Sequence, residues 1–126
     1  MSKRNVCLGQ RGENSAAGFL KENGYKILLK NFKTRLGEID IIGMDQDTYC
    51  FIEVKTRNSL RCGQPQEAVS LFKQRQMSRA ALLFLKENQL LDAKARFDVV
   101  SIIYCDNAPK FDLIKNAFEL EETYVV

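Results

Sequence analysis

The sequence contains no histidine, which removes Ser-His-Asp and Cys-His nucleophile pairs, HExxH zinc sites and C2H2 fingers together. Acid–base work falls to Asp, Glu, Lys, Tyr or a bound water. Cysteine is sparse too: Cys7, Cys50, Cys62 and Cys105 stand too far apart for a CxxC redox or zinc pair. Cys50 and Cys105 flank apolar strand-like runs and read as small core residues. The longest apolar run, Ala80 to Leu85, covers six residues, against roughly 20 for a bilayer-spanning helix. Met1 to Gln10 carries Lys3 and Arg4 without the apolar stretch of an export signal, so a reducing cytoplasmic setting and no membrane partner are expected.

What is present describes one ordinary domain. The chain has 126 residues, 45% of them hydrophobic, enough for one core and too few for a multidomain enzyme. A single domain over residues 1–126 is expected, with its core at about 12–118. Ala16, Ala17 and Leu20 give a helical apolar face over about Gly12 to Asn23, which Gly24 stops. Tyr25 to Phe32, Leu36 to Met44 and Tyr49 to Thr56 read as strands, the last two joined by a turn at Asp45 to Thr48. Asn58 to Pro65 reads as a surface loop, with Pro65 initiating a helix from about Gln66 to Glu87. In that helix Val69, Phe72, Ala80 and Leu83, with Ala68, Leu71 and Phe84 beside them, are expected to form a buried stripe. Arg96 to Tyr104 and Phe111 to Phe118 complete the order α-β-β-β-α-β-β, an α/β fold with a mixed sheet flanked by helices.

Net charge is only +3, from 19 basic and 16 acidic residues, so the chain is no polybasic wrapper and any acidic partner is met locally. Its distribution is uneven. Residues 1–37 carry +6, 38–53 carry −5, 54–79 carry +5 and 80–126 carry −3. An acidic hairpin between two basic segments suits a polyanion-binding surface that contains a metal-sized negative spot.

With the turn at Asp45 to Thr48, Met44 pairs with Tyr49, and continuing that register sets Asp40 opposite Glu53 and Glu38 opposite Lys55. Like charges so opposed destabilise a sheet by a few tenths of a kcal/mol or more. A hard divalent cation converts the repulsion into ligation, because Mg²⁺ is commonly held by one or two carboxylates with water and substrate phosphate. Period-2 geometry places Lys55 on the face of Glu53, while Ile52 and Val54 point into the core. Asp40 and Glu53 holding a metal, with Lys55 orienting water or balancing developing charge, suit phosphodiester hydrolysis without histidine.

Asp40 followed by Glu53-Val54-Lys55 resembles the PD-(D/E)xK nuclease superfamily, with Ile39 where the motif has proline. Over a longer span the chain resembles the YraN-type uncharacterised bacterial proteins, small restriction-endonuclease-like domains. The matching stretches are Gly12-Glu13 with Ala16 and Leu20, Gly24-Tyr25, Asn31 and Gly37-Glu38-Ile39-Asp40-Ile41-Ile42. Further along come Phe51 to Arg57, Gly63 to Val69, Lys73, and Arg96-Phe97-Asp98-Val99-Val100. The resemblance implies a fold similar to archaeal Holliday-junction resolvases, with Mg²⁺ or Mn²⁺ on Asp40 and Glu53, Lys55 as catalytic lysine and Glu13 completing the site. Alternatively, Glu13 is an exposed first-turn acid favoured by the helix dipole. Arg57 and Lys73 are candidate phosphate contacts, and Asp98 is expected to stabilise structure by pairing with Arg96. A homodimer follows by analogy with resolvases, which need two sites for two symmetric cuts.

Three functions remain open at this level: a metal-dependent nuclease acting on DNA, branched DNA included; a catalytically silent nucleic-acid-binding module; and a protein-interaction domain. The intact acid–acid–lysine set favours the first, since carboxylates that repel phosphate bring nothing to a binding-only surface.

Overall fold

A computed structural model describes residues 3–58, 69–105 and 108–120. The elements are α1 (Lys3–Glu22), β1 (Tyr25–Thr34), β2 (Gly37–Asp45), β3 (Thr48–Asn58), α2 (Leu71–Glu87), β4 (Lys94–Cys105) and β5 (Ala108–Phe118). This is the expected order. The strands form one five-stranded sheet in sequence order, antiparallel throughout except between β3 and β4. That parallel pair requires a crossover connection, which contains α2.

Each helix covers one sheet face. Ala16, Ala17 and Leu20 of α1 pack on Ile41, Cys50, Ile52, Val100 and Ile102. On the other side Met77, Ala80, Ala81, Phe84 and Leu85 of α2 pack on Ile42, Phe51 and Phe97. Strand β4 is buried from Phe97 to Ile102 because both of its faces are covered. Two glycines set the closeness of the helices. A Cβ on Gly12 of α1 would collide with Thr56 Oγ1 on β3, and a Cβ on Gly37 of β2 would collide with the Gln76 backbone carbonyl on α2.

The expected boundaries are corrected at several points. Helix α1 starts at Lys3, well before Gly12, so Glu13 lies mid-helix rather than in a first turn. Gly24 does terminate it, at φ +90. Helix α2 starts at Leu71, capped by the Ser70 hydroxyl, which accepts a hydrogen bond from Lys73 N at 3.1 Å. Pro65 and the expected loop and first turn around it, 59–68, lie outside the described residues. Of the expected stripe, Val69, Ala80 and Phe84 are buried and Leu83 is half-buried, whereas Leu71 is 50% and Phe72 69% exposed. Their spacing fits a helical stripe, but the sheet beneath α2 offers its apolar cover only from Met77 onward. Strand β5 begins earlier than expected, at Ala108.

Cys50 is buried as a free thiol, its pKa pushed up to about 12 mainly by burial, so it stays neutral. Cys105 is buried as expected but is disulfide-bonded, which its apolar neighbours did not suggest. Among the described residues no helix is long and apolar enough to cross a membrane.

Candidate active site

The β2–β3 hairpin has the register expected from its turn. Ile41 pairs with Ile52, Ile42 with Phe51, Gly43 with Cys50, Met44 with Tyr49 and Asp45 with Thr48, and Gln46 in the turn takes φ 57. The ladder then stops, although β2 reaches back to Gly37 and β3 runs on to Asn58. Asp40 and Glu53 are therefore not a ladder pair. The Asp40 carboxylate instead accepts a hydrogen bond from the Val54 backbone N–H at 2.8 Å, taking the place of a backbone carbonyl where the strands part. Glu38 is likewise paired with Lys33 of β1 rather than with Lys55.

The two acids are nevertheless neighbours, as the hairpin register implied. Ile52 and Val54 pack into the α1-side core, which turns Glu53 and Lys55 toward the α2 side. There the Glu53 carboxyl is pushed up to about 8, first by desolvation and next by the Asp40 charge. Asp40 also accepts a hydrogen bond from protonated Glu53, which raises the value further, while Lys73 and Lys55 pull it down. The Lys73 ammonium is 3.7 Å from Glu53 Oε1, with side-chain exposures of 24% and 12%. That separation makes an ion pair but exceeds a hydrogen bond. Glu53 Oε1 is consequently a buried acceptor with no hydrogen-bond partner.

Glu13 joins from α1. Its carboxyl is raised by burial first and by Asp40 second, with Glu38 adding to the rise, and is lowered by a hydrogen bond with Asn31. Asn31 holds φ 56 in the middle of β1, a left-handed conformation that asparagine tolerates better than most residues. The close approach of α1 at Gly12, next in sequence, presses this part of the helix against β3.

Four elements thus bring Glu13, Asp40, Glu53, Lys55 and Lys73 together. Lys73, a candidate phosphate contact by sequence, forms an ion pair with Glu53 that makes it part of the acid cluster. The signal available for that was its place just inside an N-cap, visible only once Ser70 is known to start the helix. Arg57 lies two residues beyond Lys55 on the same side of β3, part-buried and already engaged in an interaction within the protein.

The donor set fits a hard divalent cation: two carboxylates side by side, one with an orphaned oxygen and, among the described residues, no soft ligand beside them. Among the described residues no group of three or more acidic or thiol side chains is positioned to hold a metal ion by itself. A cation here would keep most of its shell for water and substrate oxygen, as Mg²⁺ typically does.

A second acid, Asp98, is fully buried on the α1 side of β4. Tyr25 Oη donates to Asp98 Oδ2 at 2.8 Å, Arg96 Nε to Oδ1 at 2.9 Å and Asn116 N to Oδ1 at 2.9 Å. Arg96 Nη2 also donates to Asp45 Oδ2 at 2.6 Å. The expected structural pairing of Asp98 with Arg96 is present.

Comparison with known proteins places this geometry in a family context. The sequence profile described as "Uncharacterised protein family UPF0102" matches residues 12–102, which include all the cluster residues. The chain is similar to a UPF0102 protein of Geobacter metallireducens, 52% identical over 95% of this chain and 98% of the relative. A UPF0102 protein of Geotalea uraniireducens is 51% identical over 92% of both chains. One of Desulforapulum autotrophicum is 40% identical over 96% of this chain and the whole of the relative.

Proposed function

Since the chain belongs to the uncharacterised protein family UPF0102, whose description assigns no chemistry, we propose from its geometry a divalent-metal-dependent nuclease. It hydrolyses phosphodiester bonds in DNA, branched DNA included, and acts in the cytoplasm. The observation that carries this reading is Glu53: half-buried, forced against Asp40 and left with a buried, unpartnered oxygen. A fold gains nothing from that arrangement alone.

Asp40 and Glu53 would hold Mg²⁺ or Mn²⁺, which supplies Lewis acidity toward a phosphate oxygen and lowers the pKa of water. Asp40 is fixed for this task by the Val54 amide, and Glu53 is fixed by β3, whose ladder with β4 runs through it. Lys55 orients the attacking water and offers its ammonium to the charge that develops on phosphorus oxygens. Lys73 favours the ionised form of Glu53 against the opposing pull of burial and Asp40, and with Arg57 it supplies positive charge toward the incoming backbone. Glu13, whose carboxyl feels Asp40 from the α1 side, would accept hydrogen bonds from water at the edge of the site. Overall, water oxygen bonds to phosphorus, the bond to the leaving oxygen breaks and that oxygen takes a proton.

Gel-resolved cleavage of labelled single-stranded, duplex, flapped and four-way-junction DNA and of an RNA strand, with Mg²⁺, Mn²⁺ or chelator, tests the reading. Cutting that requires both metal and Asp40 is expected. An Asp40→Ala protein that still cuts would refute the site, and binding without any cutting would favour the silent binding module.

A further inference from the structure

Phe72 is the most exposed large apolar side chain among the described residues, at 69%, and it stands beside Lys73 at the head of α2. Among the described residues, that ring belongs to neither core cluster. Gln76 lies one turn further along the same side of the helix, by i to i+4 spacing. It forms one wall of a recess of about 260 Å³, whose other walls are Thr34, Arg35, Leu36, Gly37 and Glu38 at the β1–β2 turn. That volume lies below the roughly 300–1,000 Å³ of drug-sized pockets and suits a single flat ring system.

The recess and the acid cluster share the β2 strand and the α2 helix. Glu38 lines it and acts electrostatically on Glu13, and Lys73, one turn before Gln76, pairs with Glu53. Its walls also carry mixed chemistry. The Thr34 hydroxyl is consumed by the turn, donating to Gly37 O at 2.9 Å and accepting from the Leu36 and Gly37 amides at 3.0 and 3.1 Å. Polar side chains from Arg35, Gln76 and Glu38 remain along the walls, a guanidinium, an amide and a carboxylate. A phosphate would meet the repulsion of Glu38. A nucleobase edge carries donors and acceptors together and matches the set.

We propose that the recess between the β1–β2 turn and α2 takes one unpaired nucleotide next to the cleaved bond, with Phe72 stacking on a base and Gln76 and Arg35 contacting its edge. This deepens the nuclease reading and rests on it. It commits the substrate class to nucleic acid with unpaired bases at the cleavage point, such as a flap, fork or single strand, over continuous duplex. Exposed aromatics are sequence-tolerant platforms for unstacked bases, because every base presents a π-face.

The test is fluorescence anisotropy in chelator with labelled single-stranded, flapped and blunt duplex DNA, alongside cleavage of the same substrates with Mn²⁺. Wild-type protein should bind the single strand and flap more tightly than duplex. Phe72→Ala should weaken binding to those two by about 5- to 100-fold, from the usual worth of one base–aromatic stack, and leave duplex binding within about twofold. Phe72→Trp should restore the preference, and Gln76→Ala should reduce it. Equal binding of all three substrates by wild type, or equal losses on all three in Phe72→Ala, would overturn the proposal. A Phe72-dependent preference without any cutting would retain the subsite and sink the nuclease. Metal- and Asp40-dependent cutting that Phe72→Ala leaves unchanged would retain the nuclease and sink the subsite. Absence of all nucleic-acid binding would overturn both in favour of a protein partner.

Discussion

Two acids, Asp98 buried and Glu53 half-buried, stand on the neighbouring strands β3 and β4, where Glu53 pairs with Val99 and Asp98 with Ile52. Asp98 faces the α1 side and receives donors from Tyr25, Arg96 and Asn116. Glu53 faces the α2 side with a second acid beside it and an oxygen that nothing satisfies. The sheet desolvates both, yet only one is made comfortable. The difference teaches that burial of charge does not by itself distinguish a structural residue from a functional one; the completeness of its partners does.

The comparison breaks most visibly under substitution. Asp98→Ala strands the Arg96 guanidinium and the Tyr25 hydroxyl, and is expected to cost about 3–5 kcal/mol, measured by urea denaturation. Glu53→Gln is expected to do the opposite in chelator above about pH 8, where Glu53 ionises, raising the melting temperature slightly while abolishing cleavage, because it removes one of two repelling carboxylates. A Glu53→Gln protein less stable than wild type in chelator would place Glu53 in the same structural class as Asp98.

Cation addition sharpens the contrast next. Mg²⁺ or Mn²⁺ at about 100 times its dissociation constant should stabilise wild type by roughly 2.7 kcal/mol, and should leave Asp40→Ala unchanged by calorimetry. Gly12→Ala comes third. Its methyl group meets Thr56 Oγ1, so a loss of about 1–3 kcal/mol is expected, together with slower cleavage as Glu13 shifts. Adding Thr56→Ala should recover both, which separates a clash from the lower flexibility of alanine.

The smallest effect is the pH slope. Glu53 holds its proton more tightly folded than unfolded, since its value rises from 4.5 to about 8. The stabilisation from this protonation is fully present below the unfolded value and is lost as pH rises through the folded one. In chelator the wild-type melting temperature should therefore fall between pH 5 and 8 relative to Glu53→Gln. Asp45 works the other way. The Arg96 guanidinium and then Lys115 hold its carboxyl below the usual range, so its contribution is present above that range and lost as pH falls. Parallel slopes for wild type and Glu53→Gln would remove the strain from Glu53.

Much of this molecule is legible in its sequence. The turn at Asp45 to Thr48 determined the hairpin register, since a period-2 strand has one register that buries Ile41, Ile42, Phe51 and Ile52. It also turned Glu53 and Lys55 to one side, and Arg96 two residues before Asp98 sufficed for their pairing. What escaped depends on where partners stop. The parting of β2 from β3 at Asp40 follows from a side chain replacing a backbone acceptor, which periodicity does not encode. Phe72 has the spacing of a core residue, and only the extent of the sheet beneath α2 leaves it outside. The early start of α1 was hidden because Lys3 to Gly12 shows no apolar face like that of Ala16, Ala17 and Leu20.

The parallel ladder between β3 and β4 also bears on how the protein folds. The β1–β2 and β2–β3 hairpins are contacts between chain neighbours, whereas β4 must return from far along the chain to lie beside Glu53. Closing that long loop is the slow, entropically expensive part of folding. Glu53 therefore meets its desolvation late, after the hairpins have formed and once β4 and α2 dock. Relief of the strain at Glu53 should then appear mainly as slower unfolding rather than faster folding. The fold assembles around a repulsion it encounters only near completion, and a bound cation would act as a lock on the finished state.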